Sequence, residues 1–507
     1  MAPLTAIEHI VVLMLENRSF DNVFGWLYDP GNPAPFDRVP SNFEGVSGKN
    51  LSNPGPKGNV PANKGTVPTD PYPDPGEPYE DVYEQLYDVP RVSLDKTPPP
   101  LATPPGMKGF VHNYARINAT DPEIIMNGFT PATLPVLSNL AHYYGVCDHW
   151  FCSIPSQTIC NRSFVHAGTS SGYVDNKGGD GILFVNKTPT IFNVLPANRS
   201  WKVYTASWNI TSLVLLTQEK VWDHALDEGH FRMLHDFEND AKTPGGLPSY
   251  SYIEPNYMDS LVWGPENDMH PESHVAELYG ISNVEEGEKL VYRVYSAVRN
   301  SPDWDKTMLI VLFDEHGGCF DHVPPPTTVS PDGIVIPQSQ PGGSGFEFNH
   351  LGVRIPAIVI SPFTAPQAVL TDVFDHTSVL KTIMECFGLP TDQLGSRAKV
   401  ANFLNEGNAL TLDSPRTDFP PIPEPAEMNV SILQRTEALG RLLEHGSQKP
   451  MSELHKSSLI RMSQRLGRAD LERKARGANT VFDGDSVAIK LEAELWKQRR
   501  ARRNQRP

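Results

Sequence analysis

The sequence predicts an α/β fold organised on a buried, largely parallel sheet, and three stretches carry that expectation. Thr307–Phe313 (TMLIVLF) and Ile7–Leu15 (IEHIVVLML) are short, almost continuous apolar runs rich in Ile, Val and Leu. Such runs belong to strands covered on both faces, the condition of a parallel sheet between helices. The third is Glu286–Asn300, where Leu290, Val291, Val294, Tyr295 and Val298 recur at helical spacing, as on a helix laid against the sheet.

The remaining elements follow in chain order. Residues 30–105 are dominated by Pro, Gly, Asp and Asn without periodicity, which predicts a long surface excursion that either covers a site or hangs free. Phe36, Phe43, Tyr72 and Tyr79 are its candidate exposed aromatics. Pro131–Tyr144 has Leu134, Leu137, Leu140 and Ala141 on one helical face. Trp201–Ser207 and Leu351–Phe363 read as further strands. Asp375 opens a helix with Val379, Leu380, Ile383, Met384 and Phe387 on its inner side, and Gly388 stands where a C-terminal cap belongs. The expected organisation is a catalytic domain over 1–395, a proline-rich linker over 396–427 and a helical extension over 428–507. The extension is expected to lie outside the catalytic machinery.

Composition narrows the function. A net charge of −17 argues against nucleic acid as a partner for the body of the protein. Five cysteines, an odd number without zinc-type spacing, are expected to be reduced thiols. Ile10–Leu15 is short and runs straight into Glu16 with no cleavage-like region, and no stretch reaches the length of a membrane span. A soluble, cytoplasmic protein is the expectation. Lys497, Arg499, Arg500, Arg502, Arg503 and Arg506 crowd the last eleven residues. This basic tail is either a solvated end or a peripheral contact to anionic lipid, at about 1 kcal/mol per basic residue near the surface.

Both leading strands end in ligand-type residues. Thr307–Phe313 runs into Asp314-Glu315-His316 and a Gly317-Gly318 turn, followed by Asp321 and His322; Ile7–Leu15 runs into Glu16-Asn17. Open α/β sheets bind ligands at the carboxyl ends of their strands. If the two strands are parallel neighbours, four oxygen donors converge, a set suited to a hard or borderline divalent cation. His316 beside them is a candidate phosphate contact. The alternative for each end is a solvated turn, or for Glu16-Asn17 the approach to a helix capped by Ser19. His112 and His376 are candidate phosphate contacts or structural histidines. His376 opens a helix, where backbone N–H groups favour anions.

ENRSFD directly after an apolar first strand, together with DEHGGCFDHVPPP, resembles the phosphoesterase family of bacterial and plant phospholipases C and AcpA-type acid phosphatases. The resemblance covers roughly residues 5 to 390 in separated blocks. It implies a three-layer, alkaline phosphatase-like sandwich. SQTICNRSF resembles the nucleophile segment of that family, which places Thr158 on the nucleophile, also touching the metal, and Asn161 on the substrate. Cys160 stands where the family usually has proline. NDMHP resembles a segment whose histidine faces the phosphate, and that role passes to His270.

The combined expectation is a metal-dependent phosphoesterase. One divalent ion (Ca, Zn, Mg or Mn) on Glu16, Asn17, Thr158, Asp314 and Glu315 would activate the Thr158 hydroxyl. A phosphothreonine would form and be hydrolysed, with His270 or His322 as proton donor. The resemblance supplies the substrate class: release of phospholipid headgroups or, alternatively, hydrolysis of soluble phosphomonoesters. A non-catalytic phospholipid-binding scaffold is the rival of a different class. A sulfatase is disfavoured because Cys160-Asn161-Arg162 lacks the proline and arginine spacing of a formylglycine precursor.

Overall fold

The two apolar runs form neighbouring strands, β1 (His9–Leu15) and, sixth of this sheet in chain order, β6 (Thr307–Phe313), with every residue of both buried. They pair in parallel and in register, from His9 opposite Thr307 to Leu15 opposite Phe313. Each buried Leu, Ile or Val contributes about 1.5–3 kcal/mol through its removal from water. The computed structural model describes residues 4–90, 104–227, 229–260, 262–271, 284–340, 343–425 and 450–504.

The other strands of this sheet are β2 (Gly145–Cys147), β3 (Trp201–Thr205), β4 (Phe231–Met233), β5 (Tyr250–Glu254), β7 (Ala357–Ile360) and β8 (Ala368–Leu370). Their order across the sheet is β8-β2-β7-β6-β1-β5-β3-β4. β7 runs antiparallel to both neighbours, and the remaining pairs are parallel. Val284–Arg299 lies against β1 and β6 and packs with Pro135–Tyr143 and Leu234–Lys242; Thr158–Ala167 packs with His376–Cys386. Helices thus cover a mostly parallel central sheet, as the opening expectation required. The predicted strand over Leu351–Phe363 shortens to β7, since Pro356 and Pro362 bracket it and cannot donate to a ladder.

The 30–105 excursion is built rather than loose in its described part. It contains a hairpin of Ser52–Gly55 and Gly58–Pro61 and the helix Tyr79–Tyr87. Tyr79 is buried, Phe36 stacks on His142 and Phe43 packs edge-on to Tyr28, so these aromatics face the core and not the solvent. Tyr83 ties the helix down through His350. The His350 Nδ1–H donates to the Leu351 carbonyl (2.9 Å), leaving Nε2 to accept from the Tyr83 hydroxyl (2.6 Å).

Burial lowers the His350 pKa to about 4, so the folded protein keeps this ring neutral. Its stability contribution is complete above the unfolded pKa near 6.5 and is lost as pH falls toward the folded value. At pH 5 the loss is about 2 kcal/mol. His350→Gln should therefore shrink the stability difference between pH 7.5 and pH 5 by that amount, read from denaturant midpoints at the two pH values. A difference as large as in the wild type would refute the neutral assignment.

The C-terminal extension belongs to the same core. Its described helices are Glu453–Arg465, Ala469–Gly477 and Val481–Arg503. Leu459, Met462, Leu491 and Leu495 are buried in one cluster with β1 and β6. Residues 428–446, expected to be helical, lie outside the described residues. The basic end is largely the last turns of a docked helix: Arg499 is buried and donates to the Ala225 carbonyl, and Arg502 donates to that of Asp223. Arg506 lies outside the described residues. The cysteines are all buried and unpaired. No described helix is long and apolar enough to cross a membrane.

Candidate active site

Parallel register delivers the two acidic strand ends to one level. Asp314 N–H donates to the Leu15 carbonyl (3.1 Å), so β1 and β6 stop together. Asn17 has a left-handed backbone (φ 60°), which turns its N–H onto Asp314 Oδ1 (3.1 Å). The turn beyond needs glycine for a physical reason. Any Cβ on Gly317 would stand 2.1 Å from the Asn17 carbonyl oxygen.

The helix Thr158–Ala167 meets these strand ends through Arg162. Its guanidinium donates to Asp314 Oδ2 (2.9 Å) and the Tyr257 hydroxyl (2.8 Å), and stands 3.2 Å from Glu16 Oε1. Thr158 opens the helix and is four residues before Arg162, hence on the same face, with 4% of its surface exposed. Asn161 holds the entry loop: its amide accepts from Ile154 N–H (3.1 Å) and donates to the Ser156 carbonyl (2.7 Å). In this structure it shapes the approach to Thr158 through the loop.

The excursion supplies a second bank of acids. Asn17 Nδ2 donates to Glu77 Oε1, and Glu77 stands 3.4 Å from His270 Nε2, with Asp74 3.9 Å from His270 Nδ1. The carbonyl of Asp268 accepts from Glu16 N–H (2.8 Å), which fixes the His270 loop beside β1. Asp74, Glu77 and His270 present ligand atoms within 4.8 Å of one another.

The electrostatics are those of a cluster of acids that could hold a cation. Burial pushes the Glu16 carboxyl well up, against the pull of Arg162 and with the repulsion of Asp314 added. Glu315 is raised by burial, Glu77 and Asp314; Asp74 by burial and Glu77; Asp268 is pushed by burial to about 6. Burial alone would lower the His270 pKa, but Asp74, Glu77 and Glu16 hold its imidazolium and raise it well above the usual value. Both Glu16 carboxylate oxygens, Asn17 Oδ1, Glu315 Oε1, Asp74 Oδ1 and Asp268 Oδ2 are buried without a hydrogen-bond partner. Orphaned, desolvated oxygens at this density are costly unless a cation meets them. The donor set of carboxylates, an amide oxygen and an imidazole fits a divalent ion.

Of the other expected site residues, His316 and His376 flank the strand end and His112 and His322 stand apart from it. His316 is buried under the glycine turn, its Nε2 against Gln85 Oε1 (2.8 Å), and burial lowers its pKa to about 3. His376 donates Nε2–H to the Asp314 carbonyl (2.5 Å) from below the strand end. His112 is paired with Asp88 (2.7 Å) at the end of the Tyr79–Tyr87 helix and does not reach the cluster. His322 belongs to a separate group: Asp21 Oδ2 lies 2.6 Å from its Nδ1, and Arg354 bridges Asp21 (3.0 Å) and Asp321 (2.9 Å). Arg162, Asp74, Glu77 and Asp268 were missed from sequence. The signal for Arg162 lay in the Asn161-Arg162 pair itself, the signal for Asp74 and Glu77 in the Asp74-Pro75-Gly76-Glu77 turn, and that for Asp268 in the Asn267-Asp268-Met269-His270-Pro271 segment.

Known proteins match this chain along most of its length. The family model described as Phosphoesterase family matches residues 7–390. Non-specific phospholipase C3 of Arabidopsis thaliana is 32% identical over 514 residues, covering 96% of this chain and 90% of the relative. Non-specific phospholipase C5 of the same plant is 34% identical, covering 85% and 80%. Phospholipase C B of Mycobacterium tuberculosis (strain ATCC 25618 / H37Rv) is 30% identical, covering 83% of each. Among solved structures, a protein in the alkaline phosphatase superfamily from Vibrio parahaemolyticus overlaps 62% of this chain and 80% of its own at 13% identity, with a TM-score of 0.28, too shallow to assign anything from. The family match runs from the first residues of β1, through the excursion and the Thr158 helix, past both acidic strand ends, and the chain is a member of the Phosphoesterase family.

Proposed function

We propose that this protein is a metal-dependent phosphoesterase that cleaves phospholipids in the manner of a phospholipase C, leaving diacylglycerol and a phosphorylated headgroup. The observation that carries the reading is the group of buried oxygens without hydrogen-bond partners on Glu16, Asn17, Glu315, Asp74 and Asp268, which Arg162 of the Thr158 helix meets at Glu16. The phospholipase C relatives support the substrate class.

Glu16, Asn17, Asp314 and Glu315, with Asp74 and Glu77 across from them, would hold the ion. When bound, it would neutralise phosphate oxygens and make the Thr158 hydroxyl a better nucleophile. Arg162 neutralises Asp314 and fixes the helix so that Thr158 meets phosphorus. The Thr158 hydroxyl gives up its proton to water as Oγ1 bonds to phosphorus, the bond to the glycerol oxygen breaks, and His270, held as imidazolium by its acids, gives that oxygen a proton. Water then hydrolyses the phosphothreonine and frees the headgroup phosphate.

The test is a substrate panel with and without chelator: vesicles of phosphatidylcholine or phosphatidylethanolamine, sphingomyelin, and p-nitrophenyl phosphate. Chelation should stop lipid hydrolysis, and added divalent ion should restore it. Undiminished hydrolysis in the metal-free protein would overturn the metal reading. Activity on p-nitrophenyl phosphate alone would replace the lipase by a soluble phosphatase.

A further inference from the structure

We infer that the C-terminal helical extension forms one wall of the substrate cavity and sets which headgroup the enzyme accepts, an inference that rests on the phospholipase reading. A cavity of about 70 Å³ opens beside the cation cluster. Its near wall is Glu16, Asp268 and His270; its far wall is Leu454, His455 and Val481, contributed from beyond residue 450.

The wall is held firmly. Asp485 Oδ1 accepts from the Ser260 hydroxyl (2.9 Å), which pins the last helix to the loop after β5. Pro450 bridges to Thr480, and Met451 N–H donates to the Asn479 carbonyl (3.0 Å), so the two extension segments that line the cavity move as one. A Cβ on Gly484 would stand 2.7 Å from Met451 Sδ and 3.0 Å from His455 Cε1, so glycine there lets the last helix close on His455. Burial lowers the His455 pKa to about 4, which keeps this wall uncharged at neutral pH.

The chemistry of the lining says what enters. A phosphodiester lipid carries two alcohols, and the acyl-bearing one stays with the bilayer. A small cavity with unpartnered Glu16 and Asp268 oxygens on one side suits the polar headgroup, not acyl chains. The headgroup oxygen and the leaving oxygen are neighbours on one phosphorus, so His270 borders both. Besides Tyr257, Met258, Asp259, Glu266 and Pro271, from the segment after β5, the non-catalytic residues that bound the cavity and set headgroup size are those of the extension.

The experiment varies the wall in both directions in the full-length protein. Half-buried Leu454 tolerates change, so Leu454→Trp narrows the cavity and Leu454→Ala widens it, with Val481→Ala as a second widening variant. The readout is the ratio of kcat/KM for phosphatidylcholine to that for phosphatidylethanolamine, in vesicles of matched acyl chains. Leu454→Trp should lower the ratio by about tenfold, because the larger trimethylammonium loses its room, and the alanine variants should raise it. A ratio within about twofold of wild type in all three, in proteins that cleave both lipids and melt as wild type does, overturns the inference and leaves the phospholipase reading standing. A wild-type protein that cleaves neither lipid overturns both.

Discussion

Thr158→Ala should reduce turnover by roughly three orders of magnitude or more, since in the proposed mechanism Thr158 is the covalent nucleophile and nothing within the site replaces it. Thr158 is the first residue of its helix and makes none of the bonds that fix that helix to the strand ends. Those come from Arg162 to Asp314 and from Asn161 to the Ser153–Gln157 loop. Fold and bound metal should therefore survive, as checked by thermal melting and elemental analysis. Thr158→Ser should retain measurable activity, because the reaction needs the oxygen and not the methyl. Activity of the alanine variant within about tenfold of wild type would remove Thr158 from the chemistry.

The second large effect is at the metal, and its sign on stability reverses with the ion. Glu16 is 1% exposed, and neither of its carboxylate oxygens has a hydrogen-bond partner. Burial penalises its charge, so in chelated protein Glu16→Gln should melt at or above wild type. With divalent ion present the order should invert, since the wild type gains binding free energy that the variant lacks. Activity should fall by at least about a hundredfold. Asp314→Asn is the harsher change. It removes a charge that Arg162 pairs with inside the protein, at a cost of about 3–5 kcal/mol, and should lower bound metal as well. Full stoichiometric metal in both variants would dismantle the proposed centre.

How much of this was legible in the sequence follows from which interactions leave a local trace. β1 and β6 declared themselves because burial on both faces demands an unbroken apolar run, and their ends declared the ligands because Glu16, Asn17, Asp314 and Glu315 interrupt those runs. Asp74 and Glu77 left no such trace. They sit in an aperiodic excursion whose fold depends on Tyr83 meeting His350, a contact across 267 residues that no local pattern encodes. Arg162 was legible as a matched residue and not as an internal one, since arginine on a helix ordinarily points to water. His322 looked like site chemistry from its place after the glycine turn, but Asp21 and Arg354 claim it, and only the tertiary fold brings those three together. The extension looked peripheral because charge is dense along it, while apolar residues of its helices, Leu459 and Leu491 among them, go to the common core.

The register of β1 with β6 also has a meaning in time. Both neighbours of β1 are distant: β5 begins at Tyr250 and β6 at Thr307. At about 5–20 residues per second of synthesis, His9–Leu15 waits roughly 15–60 s after its own emergence before β6 has been made. During that interval HIVVLML, without a charge, proline or glycine, is a bare strand with two unsatisfied edges, the composition that seeds intermolecular β-pairing. The strand that later carries Glu16 to the acidic cluster is thus an aggregation hazard while it is being born. Yield from expression should then depend on chaperone supply and growth temperature more than on the stability of the finished fold.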